Sequence, residues 1–185
     1  MRLTDVFEVS YEIMDGLIIK SDWSFDLLKV DEYLFANGRY GDGRRIGGYA
    51  NEGGISQTNW LGTQSVQYTP SLPGNHNLNV FAAYEAQKVK TRTIELRGEG
   101  FSHPDLNYAA SAANPTQAYS ARTDYAFQSY FARANYDFNS EYFASLSVRR
   151  DGSSRFGPDQ RWGTFYSVGL GWNMTRLIEN TGFMD

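Results

Sequence analysis

Charges, glycines and a proline crowd into one run, RRDGSSRFGPDQRWGTF, from Arg149 to Phe165. Arg149, Asp151, Arg155, Asp159 and Arg161 offer both signs of charge within a few residues, so the run reads either as a reactive site or as a chain reversal held by charge-assisted hydrogen bonds. Other motifs are weaker. Gly41, Gly43 and Gly47 in GDGRRIG approach a dinucleotide loop, but the third glycine stands one place too late and no helical pattern follows. The two histidines, His76 and His103, fall in different connections, which speaks against a shared zinc site or a triad built across them. Carboxylates are plentiful, yet none is set apart as half of a glycosidase pair. The triplet Asn173 to Thr175 fits a glycosylation acceptor by a match short enough to arise by chance. No cofactor, metal or catalytic residue is expected, and the protein reads as a non-enzyme.

Composition removes further classes. A formal net charge of -4 gives no basic surface for counterion release, so nucleic acid is not an expected partner. With no cysteine there are neither disulfides nor thiolate ligands. No stretch reaches the roughly 18 consecutive apolar residues of a membrane-spanning helix. The first residues, MRLTDVFEVS, lack the apolar centre of a signal peptide. Aromatics at 16% of the residues, with 18 glycines, favour strands and turns.

The elements around the charged run have a period of two. Tyr130, Ala132, Ala134, Tyr136 and Phe138 alternate with Ser129, Arg133, Asn135 and Asp137; Tyr142, Ala144, Leu146 and Val148 alternate with Ser145, Ser147, Arg149 and Asp151. Tyr166, Val168, Leu170, Trp172 and Met174 repeat the pattern against Ser167, Gly169, Gly171 and Asn173. Similar runs lie over residues 7–13, 17–27 and 77–86, with a weaker one from Asn59 to Thr69, giving about seven strands. Connections alternate between short (Met14 to Gly16, Ser71 to His76, Asn139 to Glu141) and long (Glu32 to Gly53, Gly98 to Arg122, and the charged run itself). The fold class that follows is all-β: an antiparallel meander of about seven long strands, a partial transmembrane β-barrel with short periplasmic turns and long extracellular loops.

Strand length and charge placement agree with that reading. Each clear run is at least as long as the roughly 9 to 11 tilted residues that cross a bilayer. Mid-run apolar faces carry no charge, and the exceptions, Lys29 and Arg150, stand where strands lead into long loops and the side chains can snorkel. Lys20, Asp22, Asp26, Glu85, Arg133 and Asp137 project to the opposite face, the candidate lumen. Residues 175–185, TRLIENTGFMD, read as a short helical connector.

The run from Tyr130 through Thr175 resembles a specific barrel segment of the SusC/RagA family of TonB-dependent outer-membrane transporters. The match lies in Arg149, Asp151, Gly152, Arg155, Gly157, Pro158, Asp159, Arg161 and Trp162, extending through Phe165, with Gln160 where the family commonly has Asn and Tyr166 where it commonly has Pro. Weaker resemblance covers Asn59 and Trp60, Pro73 to Glu85 and the stretch GFSHPDLNYAASA, so nearly the whole chain falls within the barrel. The resemblance implies a bacterial outer-membrane location, a barrel of about 22 strands around a plug domain, a SusD-like surface lipoprotein as lid, and TonB as the source of energy. It also implies import of oligosaccharides or peptides. Residues 1–185 are then expected to be a partial barrel without plug domain, TonB box or signal peptide, meeting outer-membrane lipid on one face. The alternative is a soluble all-β carbohydrate-binding module, whose apolar faces would form a core; detergent dependence separates the two.

Overall fold

The computed structural model describes residues 1–174. Seven strands follow one another: β1 (Arg2–Met14), β2 (Leu17–Ala36), β3 (Tyr49–Tyr68), β4 (His76–Glu99), β5 (Asn114–Phe138), β6 (Tyr142–Ser153) and β7 (Trp162–Trp172). They form a single antiparallel meander in sequence order, open in that β1 and β7 are its two edges. The connector expected over 175–185 lies outside the described residues.

Strand number and direction match the alternation; strand length exceeds it. β2 and β3 each hold 20 residues, β4 holds 24 and β5 holds 25. Ladder hydrogen bonds thus continue past the end of the apolar pattern, and the two long connections shrink to residues 37–48 and 100–113. Period-two patterning marks only the part of a strand with unlike faces; stretches polar on both faces read as loop even when they pair.

Register brings the apolar runs onto one face. In β5, β6 and β7, Ala132, Val148 and Tyr166 stand side by side, then Ala134, Leu146 and Val168, then Tyr136, Ala144 and Leu170. The same ladder aligns Arg133, Ser147 and Ser167 on the other face. A one-residue slip would mix the two sets, so the pattern itself specifies the register. Each cross-strand pair contributes roughly 0.2–1 kcal/mol, and the ladder repeats it along the strands.

Tight turns close one end of the strands. Between β5 and β6, Asn139 (φ 56°) and Ser140 (φ 53°) occupy the left-handed region in succession, and the Glu141 amide donates to the Phe138 carbonyl at 3.0 Å. That is a two-residue type I′ reversal, whose twist suits paired strands. At the β1–β2 turn Gly16 has φ 74°, and a Cβ there would sit 2.1 Å from the Thr69 carbonyl oxygen, so the position admits only glycine.

Proximity divides the chain into two compact units: Met1–Asp5, Phe25–Trp60 and Lys88–Tyr125 make one, Val6–Ser24, Leu61–Gln87 and Ala126–Asp185 the other. The first contains both shortened long connections, held by Gly100 N–H to the Gly48 carbonyl (3.0 Å), Phe101 N–H to Gly47 (2.9 Å) and an edge-on Phe35–Phe101 contact at 5.2 Å. The second contains the tight turns and the β5–β6–β7 ladder. Little is covered in either: among the described residues Ala50, Val89 and Ala109 are the buried hydrophobics. No helix among them is long and apolar enough to cross a membrane, which says nothing of strands.

Candidate functional site

The charged run is less a loop than its composition suggests. Arg149 to Ser153 complete β6, Trp162 opens β7, and the connection between them is residues 154–161. Gly152 faces Trp162 in the ladder, and a Cβ on Gly152 would meet three atoms of the indole ring at 2.8–2.9 Å. The glycine thus serves close packing against an aromatic ring; its φ is not positive, and neither is that of Gly157, at -58° in open surroundings. Pro158 begins a single 3₁₀ turn over Pro158–Gln160 in which Asp159 is the acidic residue of the first turn.

Hydrogen bonds account for the shape of the reversal. Ser153 N–H donates to the Arg161 carbonyl (3.0 Å), Gln160 N–H to Gly157 (3.1 Å), and Arg155 N–H to the Ser153 hydroxyl (3.2 Å). Ser154 and Ala126 exchange two bonds at 2.8 and 2.9 Å, anchoring the reversal to β5. Arg149 Nε lies 2.8 Å from both Asp151 oxygens, and Arg161 Nε donates to the Phe156 carbonyl at 3.4 Å. Arg149 and Arg161 thus join neighbours two and five residues away, and Arg149 also reaches the Ser129 hydroxyl on β5 at 3.5 Å.

Above β6, the Arg150 guanidinium lies 5.1 Å from the centre of the Trp162 ring, whose other neighbour is Tyr130 at 6.0 Å. At the opposite end of the same ladder Tyr142 and Trp172 stack at 6.3 Å with planes 5° apart. Two aromatic belts therefore bound the apolar face.

The candidate lumen residues form local pairs. Lys20 bridges Glu8 (3.0 Å) and Asp22 (3.2 Å), and Asp26 accepts from Arg2 Nε at 3.1 Å. Glu85 accepts from the Thr63 hydroxyl (3.4 Å), Asp137 from Asn77 (2.9 Å), and Arg133 stands across from Ser147. The glycine-rich loop folds on itself: Gly48 N–H donates to Gly43 at 2.8 Å, and a Cβ on Gly43 would lie 2.5 Å from the Asn37 carbonyl oxygen. That leaves no cradle for a phosphate. His76 contacts the Tyr136 hydroxyl at 2.7 Å in one unit, and His103 pairs with Asp105 at 3.4 Å in the other. Among the described residues no group of three His, Asp or Glu side chains is placed to hold a metal.

One feature has no local signal in the sequence. In the first unit a pocket of about 400 Å³ is lined by Asp31, Glu32, Tyr33, Glu52, Asn107 and Tyr108. Tyr33 donates to the Asn107 carbonyl (2.9 Å) and meets the Tyr108 ring at 5.9 Å, while Glu52 accepts from Ala109 N–H at 2.6 Å. Desolvation, followed by the nearby Tyr108 and Glu52, holds the Tyr33 hydroxyl above the usual tyrosine range. Its members come from β2, β3 and the connection between β4 and β5, with Tyr33 and Tyr108 75 residues apart, a pairing that no spacing rule reveals. Farther along β5, a hydrogen bond from Arg122, with its positive charge and those of Lys90 and Lys88, holds the Asp124 carboxyl below its ordinary range.

Relatives agree with the sheet. TonB-dependent receptor P3 of Formosa agariphila is 29% identical over 172 residues, spanning 92% of this chain and 17% of that protein. TonB-dependent receptor SusC of Bacteroides thetaiotaomicron is 51% identical over 35 residues, 19% of this chain and 4% of that protein. Among solved structures, the RagAB peptide transporter superposes with a TM-score of 0.86 at 22% identity, over 100% of this chain and 20% of that one. The chain thus spans less than a fifth of the length of the curated relatives it matches. No family model matches.

Proposed function

We propose that the chain is a stretch of a SusC/RagA-family TonB-dependent receptor and forms seven adjoining strands in the wall of an outer-membrane importer barrel. One observation carries the proposal: the ladder aligns an apolar band between two aromatic belts, with Arg150 as the cation near its rim. From Tyr142 to Gly152 is ten residues; at about 3.3 Å each along strands tilted by about 40°, the band stands about 25 Å tall, the height of the outward face of an outer-membrane barrel. On this proposal β1 and β7 pair with further strands, and the tight turns face the periplasm. Lys20, Asp22, Asp26, Glu85, Arg133 and Asp137 face the lumen, while the long connections and the Tyr33–Tyr108 pocket meet cargo or a SusD-like lid. Energy comes from TonB. Cargo is a peptide or an oligosaccharide; the RagAB transporter, which shares the fold, carries peptides. The charged run is architectural, and no chemical step is assigned to it.

A soluble module is disfavoured because its apolar face needs a cover, and here Val168 is 69% exposed and Leu170 85% exposed. The test is a pair of substitutions in the receptor that carries this chain. Val168→Arg puts a charge near the middle of the band, costing about 2–4 kcal/mol, whereas Ser167→Arg, one residue on, faces the lumen and costs little. The expected result is loss of heat-modifiable, outer-membrane-assembled receptor for the first variant and normal assembly for the second. Equal tolerance of both would remove the membrane reading.

A further inference from the structure

The second unit holds an apolar trough of about 660 Å³ on the same face as the band, lined by Tyr11, Val66, Ala82, Tyr130, Ala132 and Val148, with Arg150 at its rim. We propose that this trough is a binding site for a net-anionic phospholipid, one acyl chain lying over Ala82 and Ala132 and the phosphate, with no choline-type cation beside it to compensate its charge, resting on Arg150. The proposal rests on the membrane reading above.

Three observations carry it. First, two alanines, Ala82 and Ala132, lie where the flanking lining residues are tyrosines and valines, so the wall recedes enough to seat a chain. Second, Arg150 shares this face rather than the polar one, since the ladder sets it beside Tyr130 and Thr164. It is exposed and, among the described residues, forms no ion pair. Third, its guanidinium is stacked on Trp162 at 5.1 Å, which fixes the plane of the fork and leaves its N–H donors free for a bidentate acceptor.

Height decides the acceptor. Arg150 stands eight residues along β6 from Tyr142, about 20 Å up the bilayer normal on the geometry used above, just under the outer rim of the band. At that depth acyl chains give way to headgroups, and the anion on offer is a lipid phosphate. A cation facing hydrocarbon is costly unless paired, and an apolar trough below it selects an amphiphile over a free ion. The charge that would be a defect on a lipid face therefore becomes a recognition element.

The experiment uses the intact receptor in mild detergent, supplied in turn with phosphatidylglycerol and with phosphatidylcholine of identical chains; lipid retained per receptor is counted by native mass spectrometry. Wild type should retain phosphatidylglycerol about tenfold better than phosphatidylcholine. Arg150→Gln should erase that preference, Arg150→Lys should keep part of it, and Ala132→Leu should lower retention of both lipids by filling the trough. Equal retention of the two lipids by wild type, or an unchanged preference in Arg150→Gln, would overturn the site. If Arg150→Gln does not assemble, Ala132→Leu decides alone: undiminished retention counts against the trough. A receptor that fails to enter a bilayer at all refutes the parent reading, whereas one that inserts and retains lipid indiscriminately refutes only this one.

Discussion

Gly152 and Trp162 form a fitted pair across β6 and β7: an indole lies over the space where a side chain would be. Gly62 and Trp23 repeat the device, with a Cβ on Gly62 falling 2.7 Å from the ring. An aromatic laid over a strand glycine restores the packing that the glycine lacks and fixes register. In Gly152→Ala the added methyl displaces a ring that also carries Arg150 and contacts Tyr130, so relaxation at one atom disturbs two contacts. The expected cost is about 1–3 kcal/mol. It should appear as a lower urea midpoint for the refolded receptor, whereas Gly157→Ala, in open surroundings with ordinary φ, should change it by less than about 0.5 kcal/mol. Equal shifts in the two variants would refute the packing role. The motif's identity was legible in the sequence, but the reason for its glycine was not: nothing in RRDGSSRF says that the ring over Gly152 comes from ten residues downstream.

At the scale of elements, the strands divide by what made them readable. β5, β6 and β7 announced themselves because one face is apolar and the other polar over their whole inner stretch. The outer parts of β2 and β5 did not: in β5 polar residues from Asn114 to Asp124 occupy both faces, and in β2 Glu32 interrupts the Leu28, Val30, Leu34 face while Tyr33 and Phe35 break the polar one. Such segments depend more on surface pairs, and Arg122–Asp124 at 2.7 Å is one. Because folding lowers the Asp124 pKa, the pair's contribution is present above the ordinary carboxylate range and is lost as pH falls through the depressed value. Both groups are exposed and salt screens them, so the effect is local rather than global. Hydrogen exchange of residues 114–125 in the assembled receptor should therefore quicken as pH is lowered from 7 to 3, after correction for intrinsic rates. Asp124→Asn should be fast already at pH 7 and show a smaller further change. An identical pH response in the variant would assign the loosening to other groups.

For the whole molecule the decisive quantity is what remains uncovered. A seven-stranded sheet with free β1 and β7 edges presents unpaired N–H and C=O groups, and Tyr166, Val168 and Leu170, all on β7, are 82%, 69% and 85% exposed. Apolar surface of that extent is stable where lipid covers it and adhesive where water does. The 185-residue polypeptide, produced by itself and refolded in plain buffer, should consequently form aggregates or edge-paired oligomers, with a size distribution that depends on concentration. Detergent micelles should cover the band and shift the material to smaller particles, and adding charge to the edge through Val168→Lys and Leu170→Lys together should raise solubility in buffer. Light scattering coupled to size exclusion reads all three conditions. A sharp, concentration-independent monomer in buffer would mean that the apolar face finds a cover within the chain itself, and would favour the soluble all-β module over the barrel.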